Sequence, residues 1–203
     1  MAVVSGGTTL IDNGALDAAV PTGSLILISE QTASASANIS FTSGIDSTYD
    51  SYVFKFYDIH PSATSPKFTF QADTGTNTNY NQTITSTSFN AYHSETDSSS
   101  FLGYVTDSDQ AQGTAFNPLS NYGVATVDDS SLVGSLHIFN PSSTTFVKHF
   151  IANTQMMNGG GTLYSVESFH AGYFNTTTAL TRFQFKFASG NIDSGTIKMY
   201  GVK

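Results

Sequence analysis

The chain has 203 residues and no cysteine, only 11% of its residues are charged, and its formal net charge is −8. This length fits one large domain or two small ones, and the lack of cysteine excludes disulfides and thiolate metal sites. Seven scattered basic residues do not form the positive footprint that nucleic-acid binding requires.

The N-terminal sequence MAVVSGGTTLIDNG lacks the positively charged start and apolar stretch of a secretory signal. The longest aliphatic run, residues 25–28, is far too short to span a membrane. The sequence therefore predicts a protein made soluble in a cytoplasm, with no membrane contact. Twenty-eight serines and 27 threonines supply the surface polarity that charges do not.

Residues 1–22 differ in composition from the rest of the chain, being rich in small residues and free of aromatics. We expect an extended N-terminal arm here, followed by a β-sandwich domain at residues 23–203; a disordered tail or a first edge strand are the alternatives. Apolar positions of the arm would contact a partner by strand addition or by filling a groove. These positions are Val3, Val4, Leu10, Ile11, Leu16 and Val20.

From residue 24 onward, runs rich in aromatic and β-branched residues alternate with turn-forming clusters. Phe183, Phe185 and Phe187 alternate with polar residues, which is typical of strands with one buried face. Eleven such runs and no helical period predict an all-β, antiparallel two-sheet sandwich, jelly-roll-like in kind. The predicted strands are 24–30, 37–41, 52–59, 67–72, 82–93, 100–105, 131–140, 145–152, 162–174, 182–188 and 195–202.

Two segments contain residues that bind metals. His93, Glu95 and Asp97 would share one side of the chain if the segment stays extended, and imidazole with carboxylate suits a divalent transition metal. Residues 73–79 place oxygen-bearing side chains at alternate positions, as a calcium loop does. A solvent-exposed strand end and ordinary turn chemistry are the alternatives, and overall we predict no metal and no cofactor.

No catalytic arrangement emerges from the spacing of the remaining polar residues. The histidines are scattered, no G-x-S-x-G elbow occurs, and nothing brings two of the three glutamates together. The prediction is that the protein is not an enzyme.

Exposed tyrosines would offer a sugar-binding platform, because each joins an apolar ring to a polar hydroxyl. Tryptophan, the commonest residue for this role, is absent. The candidates for a glycan platform are Tyr80, Tyr92, Tyr104 and Tyr122, with Tyr164 and Tyr173 as further members.

Two stretches carry a resemblance to a known family. LILISEQTASASANISFTSGIDSTYDSYVFKFYDIHP, within residues 24–61, and SGNIDSGTIKMYGVK, within residues 181–203, resemble small Ser/Thr-rich structural proteins of marine tailed bacteriophages. The resemblance implies a β-sandwich displayed on the virion, with no catalytic residues to transfer.

Among virion roles, one compact domain with an arm and no fibre repeats favours a capsid decoration or cement protein on the outer head surface. We expect the arm to lie across a neighbouring subunit, the major capsid protein or another virion protein to be the partner, and the chain to form a homotrimer. It would be made in the host cytoplasm and located in the virion. The alternatives are a tail or fibre-tip module that recognises host surface glycans, and a free-standing carbohydrate-binding domain.

Overall fold

The computed structural model describes residues 3–12, 15–16, 25–159 and 162–203, and within these residues it contains strands and no helix. The strands are β1 (Val3–Ser5), β2 (Thr8–Asp12), β3 (Ala15–Leu16), β4 (Ile26–Ser36), β5 (Ile39–Phe41), β6 (Ser51–Pro61), β7 (Phe68–Thr74), β8 (Ile84–Ser94), β9 (Ser100–Tyr104), β10 (Asn117–Pro118), β11 (Leu132–Phe139), β12 (Lys148–Asn158), β13 (Tyr164–Phe174), β14 (Leu180–Phe187) and β15 (Ile192–Val202). No helix able to cross a membrane occurs in this described part of the chain.

The larger sheet holds eight antiparallel strands in the order β4–β15–β6–β11–β12–β13–β8–β9. The last strand of the chain, β15, lies between β4 and β6 and is hydrogen-bonded to both. Strands β12, β13 and β8 pair in unbroken register along eleven residues each. Because no bulge interrupts these pairings, alternate residues of β12, β13 and β8 point consistently to one face of the sheet or to the other.

The smaller sheet holds four strands in the order β10–β7–β14–β5 and packs on one face of the larger sheet. Phe185 of β14 lies 5.1 Å from Phe54 of β6, measured between ring centroids. Phe70 of β7 lies 5.1 Å from Phe150 of β12 in an edge-to-face arrangement, which is the geometry that aromatic pairs prefer. The prediction of an all-β antiparallel two-sheet sandwich is confirmed.

Alternating phenylalanines fill the space between the two sheets, because successive side chains of a strand point to opposite faces. All ten rings are buried. They belong to Phe41, Phe54, Phe56, Phe68, Phe70, Phe150, Phe174, Phe183, Phe185 and Phe187.

The N-terminal strands β1, β2 and β3 form a separate three-stranded antiparallel sheet, with no pairing to the other two sheets in the described residues. The predicted arm is thus folded back on itself and does not run as one extended strand. Val3, Val4 and Ile11 are exposed. Leu10 and Leu16 lie in β2 and β3, where only their backbone is described, while Val20 and the predicted boundary at residue 22 lie outside the described residues.

Candidate functional site

The three candidate metal ligands do not form one cluster in the described part of the chain. Strand β8 ends at Ser94, whose Oγ accepts hydrogen bonds from the backbone N–H groups of Ser98 and Ser99, both at 3.0 Å. The chain therefore turns where an extended segment was expected. His93 Nε2 lies 3.1 Å from Asp97 Oδ1, and no group of three or more metal-binding side chains forms within the described ranges.

The calcium-loop interpretation of residues 73–79 does not fit the structure either. The Asp73 carboxylate is buried and accepts hydrogen bonds from the backbone N–H groups of Thr74 at 2.8 Å and Tyr80 at 2.9 Å. It also accepts one from Gln82 Nε2 at 3.1 Å. Its oxygens serve N–H donors, so Asp73 anchors the loop after β7.

The four predicted platform tyrosines lie in three different places. Tyr80 is buried, so its ring cannot meet a ligand. Tyr104 is exposed and donates its hydroxyl to the Asp109 carboxylate. Only Tyr92 and Tyr122 meet, with ring centroids 6.1 Å apart.

Tyr92 and Tyr122 share a small cavity with Tyr164, which we call the tyrosine pocket. The cavity measures about 170 Å³, and Asn158 and Val166 complete its lining. The Tyr92 ring stands at 73° to Tyr122 and at 81° to Tyr164, whose centroid is 5.4 Å away. The Tyr92 ring therefore packs against both of the other two rings.

Strand register and one loop build this pocket. Val166 is paired with Tyr92 across β13 and β8, and Asn158 is paired with Tyr164 across β12 and β13. Tyr122 comes from a loop held in place by the hydrogen bond from Asn158 Nδ2 to the carbonyl of Gly123, at 2.6 Å. A Cβ atom at position 123 would overlap the carbonyl oxygen of Ser65, so only glycine allows this close approach.

Next to the tyrosine pocket, the inward face of β8 and β13 is polar. We call Ser88, Asn90, Asn121, Ser168 and His170 the polar interior; all five side chains are buried. Ser88 Oγ donates to Asn121 Oδ1 at 2.5 Å, and Ser168 Oγ accepts from the backbone N–H of Asn121 at 3.1 Å. These bonds tie the loop before Tyr122 to the sheet beneath it.

The segment 105–124 lies over part of the larger sheet that the smaller sheet leaves uncovered, and side chains of β8, β12 and β13 bond to its backbone. A loop carries backbone groups that no sheet partner satisfies, so the surface under it must supply hydrogen bonds. Ser86 Oγ accepts from the backbone N–H of Gln110 at 3.0 Å, and Thr154 Oγ1 donates to the carbonyl of Leu119.

Several polar atoms in this region have no hydrogen-bond partner among the described residues. These buried, unpaired atoms are both amide atoms of Asn90, Nδ2 of Asn121 and both ring nitrogens of His170. Burial lowers the pKa of His170 to about 3, with a further contribution from the positive charge of Lys67. His170 is therefore a neutral imidazole at physiological pH.

The opposite face of the larger sheet is uncovered in the described part of the structure. Phe89 and Phe169 are cross-strand neighbours on it and stack at 4.7 Å with their planes 8° apart. Ile151, which is 56% exposed, lies in a groove of about 540 Å³ that Phe139 and Tyr173 also line. We call these five residues the outer patch.

We compared the chain with known proteins. No protein-family model, no curated protein and no solved structure matches it.

Proposed function

We propose that the protein is a virion structural protein of a tailed bacteriophage, a decoration protein that binds the outer surface of the head. The observation that carries the proposal is the outer patch on the uncovered face of the eight-stranded sheet. Phe89 and Ile151 are exposed on this face, and uncovered apolar surface of this kind marks sites of protein–protein contact. The proposal assigns the chain no enzymatic activity.

The segments that resemble phage structural proteins support this proposal by their positions in the fold. Residues 24–61 contain β4, β5 and β6, and residues 181–203 contain β15 and most of β14. Although far apart in sequence, they form the neighbours β4–β15–β6 in one sheet and β14–β5 in the other. The resemblance thus corresponds to one contiguous, two-layered part of the sandwich.

In this proposal the major capsid protein is the partner of the outer patch, and three copies assemble around a local threefold axis. The N-terminal sheet, with Val3, Val4 and Ile11 exposed, contacts a neighbouring subunit. A net charge of −8 suits the outside of a shell better than its DNA-lined inside.

A second candidate function is favoured by the tyrosine pocket. Three tyrosine rings around one cavity suit a module at the tail or fibre tip that recognises glycans of the host surface. The location of the protein on the particle separates the two candidates.

The proposed test mixes purified protein with heads of the phage that encodes it and measures co-sedimentation. Ile151→Asp places a charge in the centre of the outer patch without disturbing the buried core, and we expect at least about tenfold weaker binding because the charge must be desolvated. Phe146→Asp is the matched control, since Phe146 is 69% exposed and lies outside the patch. Binding of both variants at the wild-type level would contradict the proposed docking face.

A deletion of residues 1–22 tests the role of the N-terminal segment. We expect a folded sandwich by circular dichroism that no longer stays attached to heads, because the described N-terminal strands pair only with each other. A truncated protein that unfolds would show that this segment belongs to the core.

A further inference from the structure

The tyrosine pocket combines apolar ring faces with unused polar groups. The hydroxyls of Tyr92, Tyr122 and Tyr164 form no hydrogen bond with another residue in the described ranges, and no charged side chain lines the cavity. At about 170 Å³ the pocket is smaller than the roughly 300 Å³ or more of drug-sized sites. Its size suits a single ring and excludes an extended chain.

Two buried amides with unpaired atoms lie close to these tyrosines along the chain, outside the lining of the cavity. Asn90 lies two residues before Tyr92 on the same face of β8, and both of its amide atoms lack partners. Asn121 precedes Tyr122 in the covering loop, and its Nδ2 is also unpaired. Amides offer donors and acceptors together, as hydroxyl groups do.

We propose that the tyrosine pocket binds one neutral sugar residue. The apolar face of the sugar packs on the tyrosine rings, and its hydroxyls bond to the phenol hydroxyls and, directly or through water, to the Asn158 amide that lines the cavity. This ligand class matches the lining better than the others. A charged ligand would lose its hydration with no counter-charge in the pocket, and an apolar one would leave the phenol and amide groups unpaired.

The assignment concerns the pocket alone, so it holds for a protein on the head or on the tail. A sugar site on a decoration protein would let the particle adhere to glycan-bearing surfaces, which goes beyond a role in stabilising the shell. On a tail protein it would define the receptor contact of the second candidate function.

Saturation-transfer NMR on the full-length protein tests the proposal. The neutral probes are glucose, galactose, mannose and N-acetylglucosamine, with choline as the cationic probe and N-acetylneuraminic acid as the anionic one. We expect saturation transfer to at least one neutral sugar and a matching shift of tyrosine ring signals. No transfer to any neutral probe, or transfer to choline or N-acetylneuraminic acid alone, overturns the proposal.

Variants then locate the bound sugar. Tyr164→Ala should weaken binding about tenfold by removing one ring face, and Tyr164→Phe and Tyr122→Phe should weaken it less, because the ring remains. Tyr104→Ala is the matched control, because Tyr104 is exposed and lies outside the pocket. If Tyr164→Ala is unfolded by circular dichroism, the two phenylalanine variants carry the test. Affinities equal to that of Tyr104→Ala in every pocket variant overturn the assignment.

This test separates the pocket from the proposed virion role. Sugar binding is measured on the isolated protein, and attachment to heads is measured by sedimentation. Sugar binding without attachment to heads contradicts the decoration proposal and supports the pocket. Attachment to heads without sugar binding supports the decoration proposal and contradicts the sugar site.

Discussion

The two halves of the sandwich interior are built from different chemistry. Where the smaller sheet faces the larger one, the space is filled by phenylalanine rings such as Phe54 and Phe185. Where the segment 105–124 covers β8 and β13, the space holds Ser88, Asn90 and His170. A loop brings backbone groups that no sheet partner satisfies, and Ser86, Ser168 and Thr154 of the larger sheet bond to such groups.

The largest effect is expected in the phenylalanine half. Phe185 is completely buried and contacts five other phenylalanine rings, so Phe185→Ala should lower the free energy of unfolding by about 4 kcal/mol through lost burial and a cavity. Urea denaturation measures this value. Phe146→Ala, at a position 69% exposed, should change it by no more than about 0.5 kcal/mol. Equal effects of the two would mean that the core is not where the structure places it.

A smaller effect is expected in the polar half. Ser168→Ala removes the acceptor of the buried Asn121 N–H and should lower the free energy of unfolding by about 2 kcal/mol. Ser165→Ala is the control on the same strand, because Ser165 is exposed. A neutral Ser168→Ala variant would show that the loop does not depend on the strand beneath it.

The polar half should also make stability depend on pH. The folded-state pKa of His170, about 3, lies below its value of about 6.5 in an unfolded chain. The unfolded chain then binds a proton that the folded state refuses. Above about pH 6.5 His170 does not lower the stability of the folded protein. As the pH falls from 6.5 towards 3, the free energy of unfolding falls by about 1 kcal/mol per pH unit.

Urea titrations between pH 7 and pH 5 measure this slope, because a carboxylate with an ordinary pKa near 4 stays ionised in that range. His170→Gln removes the titrating group, so its stability should change less over the same interval. The same slope in wild type and variant would contradict the buried, neutral imidazole.

The smallest effect is expected at Asn90. Both of its amide atoms lack partners among the described residues, so Asn90→Leu, which has a similar shape, should change the free energy of unfolding by less than about 1 kcal/mol. Urea denaturation of the wild type and the variant measures this change. A loss as large as that of Ser168→Ala would show that the Asn90 amide is satisfied in the folded protein.

The sequence predicts the phenylalanine half well and the polar half poorly. Phe183, Phe185 and Phe187 alternate with polar residues, so the strand and its buried face can be read directly from the period. In β8 the buried positions are Ser88 and Asn90, and the exposed one between them is Phe89, which inverts the usual rule. Only the three-dimensional arrangement shows that a loop lies over these residues.

Non-local contacts explain the remaining differences. All eleven predicted strands occur. The sequence offers one edge strand as an alternative within residues 1–22 but not the three short strands β1, β2 and β3, nor the two-residue β10, because short strands carry no periodic signal. No local pattern distinguishes Tyr80 and Tyr104 from the pocket tyrosines, and only the packing separates buried, exposed and pocket-lining rings. Tyr164 joins Tyr92 through the pairing of β13 with β8, which no local pattern encodes.

The proposal that this sandwich binds a phage head through the uncovered face of its larger sheet can be tested on the intact particle. Cryo-electron microscopy of the particle tests it most directly. The account predicts many copies of the sandwich over the head surface, with β8, β12 and β13 facing the shell and the outer patch, centred on Ile151, at the contact. Density for the protein confined to the tail, or sandwiches on the head with the outer patch facing solvent, would contradict it.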